Sequence, residues 1–106
     1  MRVLLDECVP RKLRREFPGH VVKTVAEMAW SGTKNTALLR LAAAEFDVFL
    51  TVDQGIPYQQ NLPGLDRALL IVKAPSNDIN DLQPMMPEVL RVRETIQPGQ
   101  VVYVAA

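Results

Sequence analysis

Short apolar and β-branched runs recur along the chain, and most of them are followed by turn residues or an acid. Runs of this length and composition are typical of strands that are buried in a sheet. The predicted strands cover residues 3–5, 21–25, 48–52, 68–72 and 101–104.

The segment after the first strand has the spacing of a helix. Val9, Leu13 and Phe17 lie four residues apart and would share one helical face. Pro10 suits the first turn of a helix, and Pro18 with the following glycine stops it. We therefore predict a helix between the first two strands.

Two further helical regions follow. The first is predicted from about Asn35, placed as the N-cap, to Phe46. The second covers residues 77–96, where Pro84 and Pro87 predict a short turn before a longer helix.

Strands that alternate with amphipathic helices predict an α/β fold. Such an order implies right-handed βαβ units and a mainly parallel sheet that is covered on both faces. Residues 54–64 are predicted to form a turn-rich connection that contains at most one helical turn. At 106 residues, the chain is predicted to be one domain over residues 1–106. In open α/β sheets, ligands bind outside the carboxyl ends of the strands.

Charge and composition narrow the functional classes. The chain has 12 basic and 12 acidic residues, so any nucleic acid has to be held by a local patch. No apolar run reaches the roughly 20 residues that a membrane helix needs, and Asp6 comes too early for a signal peptide. The one cysteine, Cys8, forms no internal disulfide and is interpreted as a small packed residue. A cytoplasmic location is expected.

Acidic residues follow two of the predicted strands. Asp6 and Glu7 come after the first strand, Asp53 comes after the third, and Asn35 opens a helix on the same edge. Two carboxylates about 4 Å apart repel by roughly 4 kcal/mol at an effective dielectric constant near 20, and a divalent cation removes this cost. Mg²⁺ and Mn²⁺ prefer such oxygen ligands and support phosphodiester hydrolysis. The alternative is structural, because an Asp after a strand is often a turn former or a helix cap.

The sequence also resembles a family. The segments LLDECVP at 4–10, AEMAWSGTKNTALLRLAAAEFDVFLTVDQGI at 26–56 and YQQNL at 58–62 are similar to small stand-alone PIN-like proteins. The resemblance implies a three-layer α/β/α PIN-like fold and an Mg²⁺- or Mn²⁺-dependent ribonuclease. It also implies the toxin component of a toxin–antitoxin pair, with RNA as substrate and a small DNA-binding antitoxin as partner.

The resemblance assigns roles to individual residues. It makes Asp6 the metal ligand of the first strand and Asp53 the ligand after the third, with Glu7 assisting catalysis. Asn35 stands where a helix-borne acid is usual, so it is expected to be a weak or water-mediated ligand. Residues 54–56 contain no acid where a further one often follows the T-x-D aspartate.

Two other functions stay open. A PIN-like fold with this reduced acidic set is compatible with a binding module that acts through protein contacts, and with a homodimer. A phosphoacceptor receiver domain also has an acidic pair after strand one and an Asp after strand three. Lys73, however, follows the strand directly after Asp53, and a receiver has a Ser or Thr strand end between its aspartate and its lysine.

A basic cluster lies beside the predicted acidic edge. Arg11, Lys12, Arg14 and Arg15 occupy the first predicted helix. They are candidates for contact with an RNA backbone or an acidic partner. The competing interpretation is the solvated face of an amphipathic helix.

Overall fold

A computed structural model of the chain describes residues 2–33, 35–52, 68–97 and 100–105. The strands are β1 (Arg2–Leu5), β2 (Val21–Thr24), β3 (Val48–Thr51), β4 (Ala68–Lys73) and β5 (Val101–Ala105). All five predicted strands are confirmed. The predicted connection at 54–64 lies outside the described residues.

Helical segments connect these strands. They are the 3₁₀ helix η1 (Arg11–Glu16), α1 (Asn35–Glu45), α2 (Ile79–Leu82), the 3₁₀ helix η2 (Gln83–Met85) and α3 (Met86–Arg93). The break expected near Pro84 is confirmed, because η2 separates α2 from α3. Asn35 is the first residue of α1, so it lies inside the helix and not before it as the N-cap. No helix in the described ranges is long and apolar enough to cross a membrane.

The five strands form one parallel sheet in the order β2-β1-β3-β4-β5. This confirms the predicted α/β class and the parallel sheet. In this order the connections change direction between β1 and β3, and the carboxyl ends of the strands at such a switch point form a crevice for ligands. The residues that directly follow β1 and β3 are therefore the candidates for ligand binding.

Apolar side chains fill both faces of the sheet. On the first face, alternate strand residues pack against η1, α2, η2 and α3; the cluster includes Leu5, Leu13, Leu70, Val89 and Val104. On the second face, the remaining strand residues pack against α1; this cluster includes Leu4, Leu38, Phe46, Phe49 and Ile71. The pleat explains the division, because successive side chains of a strand point to opposite faces.

The crossovers do not all have the same hand. The β1–β2 connection passes over the first face through η1, and the β4–β5 connection passes over the same face through α2 and α3. The two connections step across the sheet in opposite directions, so their hands are opposite. The β2–β3 connection reverses both face and direction and shares the hand of β1–β2. About 98% of such crossovers are right-handed in known proteins. Because two crossovers of this sheet have opposite hands, they cannot both be right-handed, and the expectation of uniformly right-handed units is wrong.

The first helix differs from its prediction in type but not in its buried side. Its hydrogen bonds join residues three apart, from the Leu13 N–H to the Pro10 carbonyl at 3.0 Å and from the Phe17 N–H to the Arg14 carbonyl at 3.1 Å. This is the pattern of a 3₁₀ helix. Val9, Leu13 and Phe17 are buried in the first-face cluster, as their spacing predicted.

Candidate functional site

Asp6 stands at the switch point of the sheet. It follows β1 directly, and its N–H donates to the carbonyl of Leu50 in β3 at 3.0 Å. This hydrogen bond continues the β1–β3 pairing one residue beyond the strand. The Asp6 residue is 8% exposed, so a carboxylate lies almost buried at the carboxyl edge.

The Asp6 carboxylate is held by three donors. The Thr51 hydroxyl donates to Oδ2 at 2.7 Å, and the Glu7 N–H donates to Oδ1 at 2.8 Å. The Cys8 thiol lies 3.6 Å from Oδ2 and is the third donor. Thr51 is fully buried at the end of β3, so both central strands position this carboxylate. The Val9 N–H also donates to the Asp6 carbonyl at 3.0 Å, so Asp6 forms the turn of the structural alternative as well.

Glu7 connects the end of β1 to the segment before α1. Its Oε1 accepts the N–H of Gly32 at 2.7 Å. Gly32 has φ of +80°, a left-handed conformation that favours glycine. Glu7 Oε2 accepts no hydrogen bond from the residues that the structure describes. One oxygen of Glu7 is therefore available to a ligand.

Cys8 is a neutral packed residue. Burial is the main cause that raises the pKa of its thiol above 9.0, and the charge of Asp6 and its hydrogen bond with the thiol raise it further. The Val52 backbone and the Thr51 hydroxyl oppose this rise only in part. Because the thiolate is the nucleophilic form, this environment does not suit nucleophilic catalysis.

Two cavities open on either side of Asp6 and Glu7. The β2-side cavity has a volume of about 650 Å³ and is lined by Asp6, Glu7, Val9, Pro10, Arg11, Thr24, Ala26, Glu27 and Ser31. The α1-side cavity has a volume of about 370 Å³ and is lined by Asp6, Glu7, Cys8, Gly32, Thr33, Leu38 and Val52. Asp6 and Glu7 line both cavities, so a ligand in either one lies beside these two acids.

Glu27 is an acid of this site that the sequence interpretation missed. Its carboxylate accepts the Thr24 N–H at 3.1 Å, and its own N–H donates to the Thr24 hydroxyl at 3.1 Å. This is the reciprocal arrangement of a capping box, whose T-x-x-E spacing is visible in the sequence. Glu27 also pairs with Arg14. It brings a third carboxylate to the β2-side cavity.

The pKa of Glu27 reflects opposing influences. Burial by itself raises the pKa, but the Thr24 N–H, the Arg14 charge, the Thr24 hydroxyl and Lys23 together outweigh it. The net pKa lies below the ordinary value of 4.5, so Glu27 is charged near neutral pH.

Two predicted ligands lie partly or wholly outside the described residues. Asp53 itself is outside them, although it follows Thr51 and Val52 in the sequence. Thr51 donates to Asp6, and Val52 lines the α1-side cavity. Asn35 opens α1, but its side chain is not among those described. The structure therefore brings together Asp6 and Glu7 of the predicted set.

Lys73 does not point to Asp6. Its Nζ lies over the ring of Tyr103, 5.2 Å from the ring centre. Tyr103 belongs to β5, on the side of β4 away from β3. This contact gives Lys73 a packing role.

The donor chemistry fits a hard divalent cation. Asp6 and Glu7 offer carboxylate oxygens, and Mg²⁺ is usually bound by one or two carboxylates together with waters. Within the described ranges, no three His, Cys, Asp or Glu side chains are close enough to form a metal site by themselves. The described residues therefore fit an ion that is held by few protein ligands.

No family model, curated protein or solved structure matches the chain with statistical significance.

Proposed function

We propose that the protein is a PIN-like, Mg²⁺- or Mn²⁺-dependent ribonuclease and the toxin component of a toxin–antitoxin pair. The observation that carries this proposal is the Asp6 carboxylate, which is nearly buried at the β1–β3 switch point and borders two cavities. A carboxylate in this position is costly unless it is paired or binds a cation. The PIN-like three-layer arrangement and the cytoplasmic location belong to the same proposal.

The proposed roles follow from the contacts. Asp6 and Asp53 hold the cation, and the Thr51 hydroxyl orients Asp6 through its 2.7 Å hydrogen bond. Glu7 assists through Oε2, because its Oε1 already accepts the Gly32 N–H. Asn35 is a weak or water-mediated ligand. A bound Mg²⁺ or Mn²⁺ lowers the pKa of a water ligand and stabilises charge on a phosphoryl oxygen.

The partners are inferred from the resemblance. RNA is the substrate, a small DNA-binding antitoxin blocks the site, and two copies of the chain form a homodimer in this proposal. Neighbouring genes test the pairing directly. A small helix-turn-helix protein encoded beside this chain supports it, and a histidine kinase in that place favours a receiver.

Metal binding is the first prediction. We expect Mn²⁺ titration by calorimetry to show binding to the wild type and a loss of at least about 10-fold in affinity for Asp6→Asn and Asp53→Asn, because each removes a charged ligand. Asp47→Asn is the matched control. Asp47 precedes β3 at the opposite edge of the sheet, where its Oδ2 accepts the Arg2 N–H at 2.8 Å.

Three results decide the matter. Loss of binding in both site variants with an unchanged control supports the metal site, and cleavage of RNA in Mn²⁺ then tests the reaction. Absence of binding to wild type at millimolar Mn²⁺ overturns the nuclease proposal and leaves the binding module. Equal loss in Asp47→Asn means that the effect is not specific to the carboxyl edge.

A second candidate is a phosphoacceptor domain, which the strand order favours. The order 2-1-3-4-5 is the one found in receiver domains and flavodoxin. Two observations weigh against it: Lys73 contacts Tyr103, and the β4–β5 crossover has the opposite hand to β1–β2. Incubation with acetyl phosphate and Mg²⁺ distinguishes the candidates, because only the receiver gains a phosphoryl group by mass spectrometry.

A further inference from the structure

A basic groove lies beside the β2-side cavity. It has a volume of about 360 Å³ and is lined by Arg11, Lys12, Arg14, Arg15 and Glu27. The chain has no net charge, so this groove is a local concentration of positive charge.

The 3₁₀ geometry of η1 arranges these cations in rows. Side chains three residues apart eclipse one another in a 3₁₀ helix and lie about 6 Å apart along its axis. Arg11 therefore stands in line with Arg14, and Lys12 stands in line with Arg15. Leu13 is in the third row and is fully buried, which anchors η1 with its cations outward.

Glu27 sets how many of these cations are available. It forms an ion pair with Arg14, and its place is fixed by the capping box with Thr24. Arg11, Lys12 and Arg15 form no ion pair with any residue that the structure describes. Three cations with no ion-pair partner in the described part of the chain therefore face solvent along one short helix.

The basic groove and the β2-side cavity meet. Arg11 and Glu27 line both of them, so one continuous surface runs from Asp6 and Glu7 to the cations of η1. Its two ends carry opposite charge. A polynucleotide bound to a divalent cation at the acidic end would place its flanking phosphates on the basic end.

We propose that the basic groove binds backbone phosphates of single-stranded RNA without reading its sequence. Arg and Lys side chains recognise phosphate oxygens, and contacts to phosphates carry no sequence information. Only one part of this proposal rests on the proposed function, namely that one RNA phosphate lies at the cation site beside Asp6.

Fluorescence anisotropy with a labelled oligouridine in EDTA tests the groove without any metal. For three phosphate contacts we expect log affinity to fall with log salt at a slope of about −2 for the wild type. Lys12→Gln combined with Arg15→Gln should weaken binding at least 10-fold and reduce the slope to about −0.7.

The control changes the same charge elsewhere. Arg40→Gln combined with Arg91→Gln also removes two positive charges, from exposed positions on α1 and α3. It should bind the oligouridine like the wild type. Far-UV circular dichroism and thermal unfolding check that each variant is folded.

Several outcomes overturn the proposal: no binding of RNA by the wild type, equal binding by the groove variant, or equal weakening in the control. Tighter binding of polyglutamate than of oligouridine overturns it in favour of an acidic protein partner. The Mn²⁺ titration and the RNA-binding assay test different proposals, so their results are interpreted separately. Metal binding without RNA retention rejects the groove alone, and RNA retention without metal binding rejects only the nuclease.

Discussion

The Asp6 carboxylate combines a structural role with a position suited to ligand binding. Its oxygens accept from Glu7, Thr51 and Cys8, which fixes its orientation from both central strands. Catalytic and metal-binding side chains need such support, because a ligand that is free to rotate holds an ion poorly. Thr51 is therefore as much a part of this site as the acids.

The reactivity of Cys8 reports on this environment. We expect iodoacetamide to alkylate Cys8 several-fold more slowly in the folded protein than in the unfolded chain at pH 8, because burial and Asp6 raise the pKa of the thiol. Asp6→Asn should move the alkylation profile to lower pH, since it removes the negative charge that disfavours the thiolate. Mass spectrometry over a range of pH measures the rate, and Asp47→Asn is the control.

A profile that stays in place when Asp6 is neutralised would show that burial alone controls Cys8. The proposed electrostatic contact between the thiol and Asp6 would then be wrong.

At the scale of elements, the start of the segment after β2 depends on Thr24 and Glu27. Their side chains satisfy each other's backbone N–H groups, which would otherwise lack partners at the beginning of a turn. The same glutamate fixes Arg14 of η1. Glu27 therefore connects two elements that border the β2-side cavity.

Glu27→Gln should lower the free energy of unfolding by roughly 0.2–1 kcal/mol at pH 7, because Gln keeps the capping-box acceptor but loses the charge that pairs with Arg14. The folded pKa of Glu27 lies below 4.5, so its charge contributes stability above about pH 4.5, and this contribution is lost as the pH falls through the folded pKa. The difference between wild type and variant should therefore shrink at pH 3. Urea unfolding at both pH values measures it.

Glu45→Gln on the exposed surface of α1 is the control and should change little at either pH. A Glu27→Gln effect of the same size at pH 3 and pH 7 would mean that the ionised carboxylate is not what stabilises the box.

At the scale of the whole molecule, the sheet separates two apolar clusters. β1, β3, β4 and β5 contribute side chains to both clusters, and β2 contributes Val22 to the first, so the parallel sheet is the common support of η1, α1, α2 and α3. A domain of this size is stable by only about 5–15 kcal/mol. One large cavity in either cluster is therefore a substantial loss.

Leu70→Ala should lower the free energy of unfolding by about 2–5 kcal/mol, because Leu70 is 1% exposed in the middle of β4 and its loss leaves a cavity. Leu41→Ala makes the same chemical change at a residue of α1 that is 38% exposed, and we expect about 0.5 kcal/mol or less. Urea unfolding of both variants makes the comparison. Equal losses would contradict the assignment of Leu70 to the core.

Local patterns in the sequence determined where the chain forms strands and which residues are buried. Val9, Leu13 and Phe17 show one apolar side, and Pro84 breaks the last helical region, because these effects act over a few neighbouring residues. The position of Asp6 directly after β1 also followed from sequence, since an apolar run that ends in an acid marks the end of a buried strand.

Only the tertiary structure decided the strand order, the opposite hand of the β4–β5 crossover, the partners of Asp6 and the meeting of Glu27 with Arg14. Thr51 lies 45 residues from Asp6 in the chain and reaches it through the pairing of β1 with β3. The η1 segment formed a 3₁₀ helix although its apolar spacing fits an α-helix equally well. Such features depend on which surfaces pack together, and periodicity along the chain carries no information about partners far away in sequence.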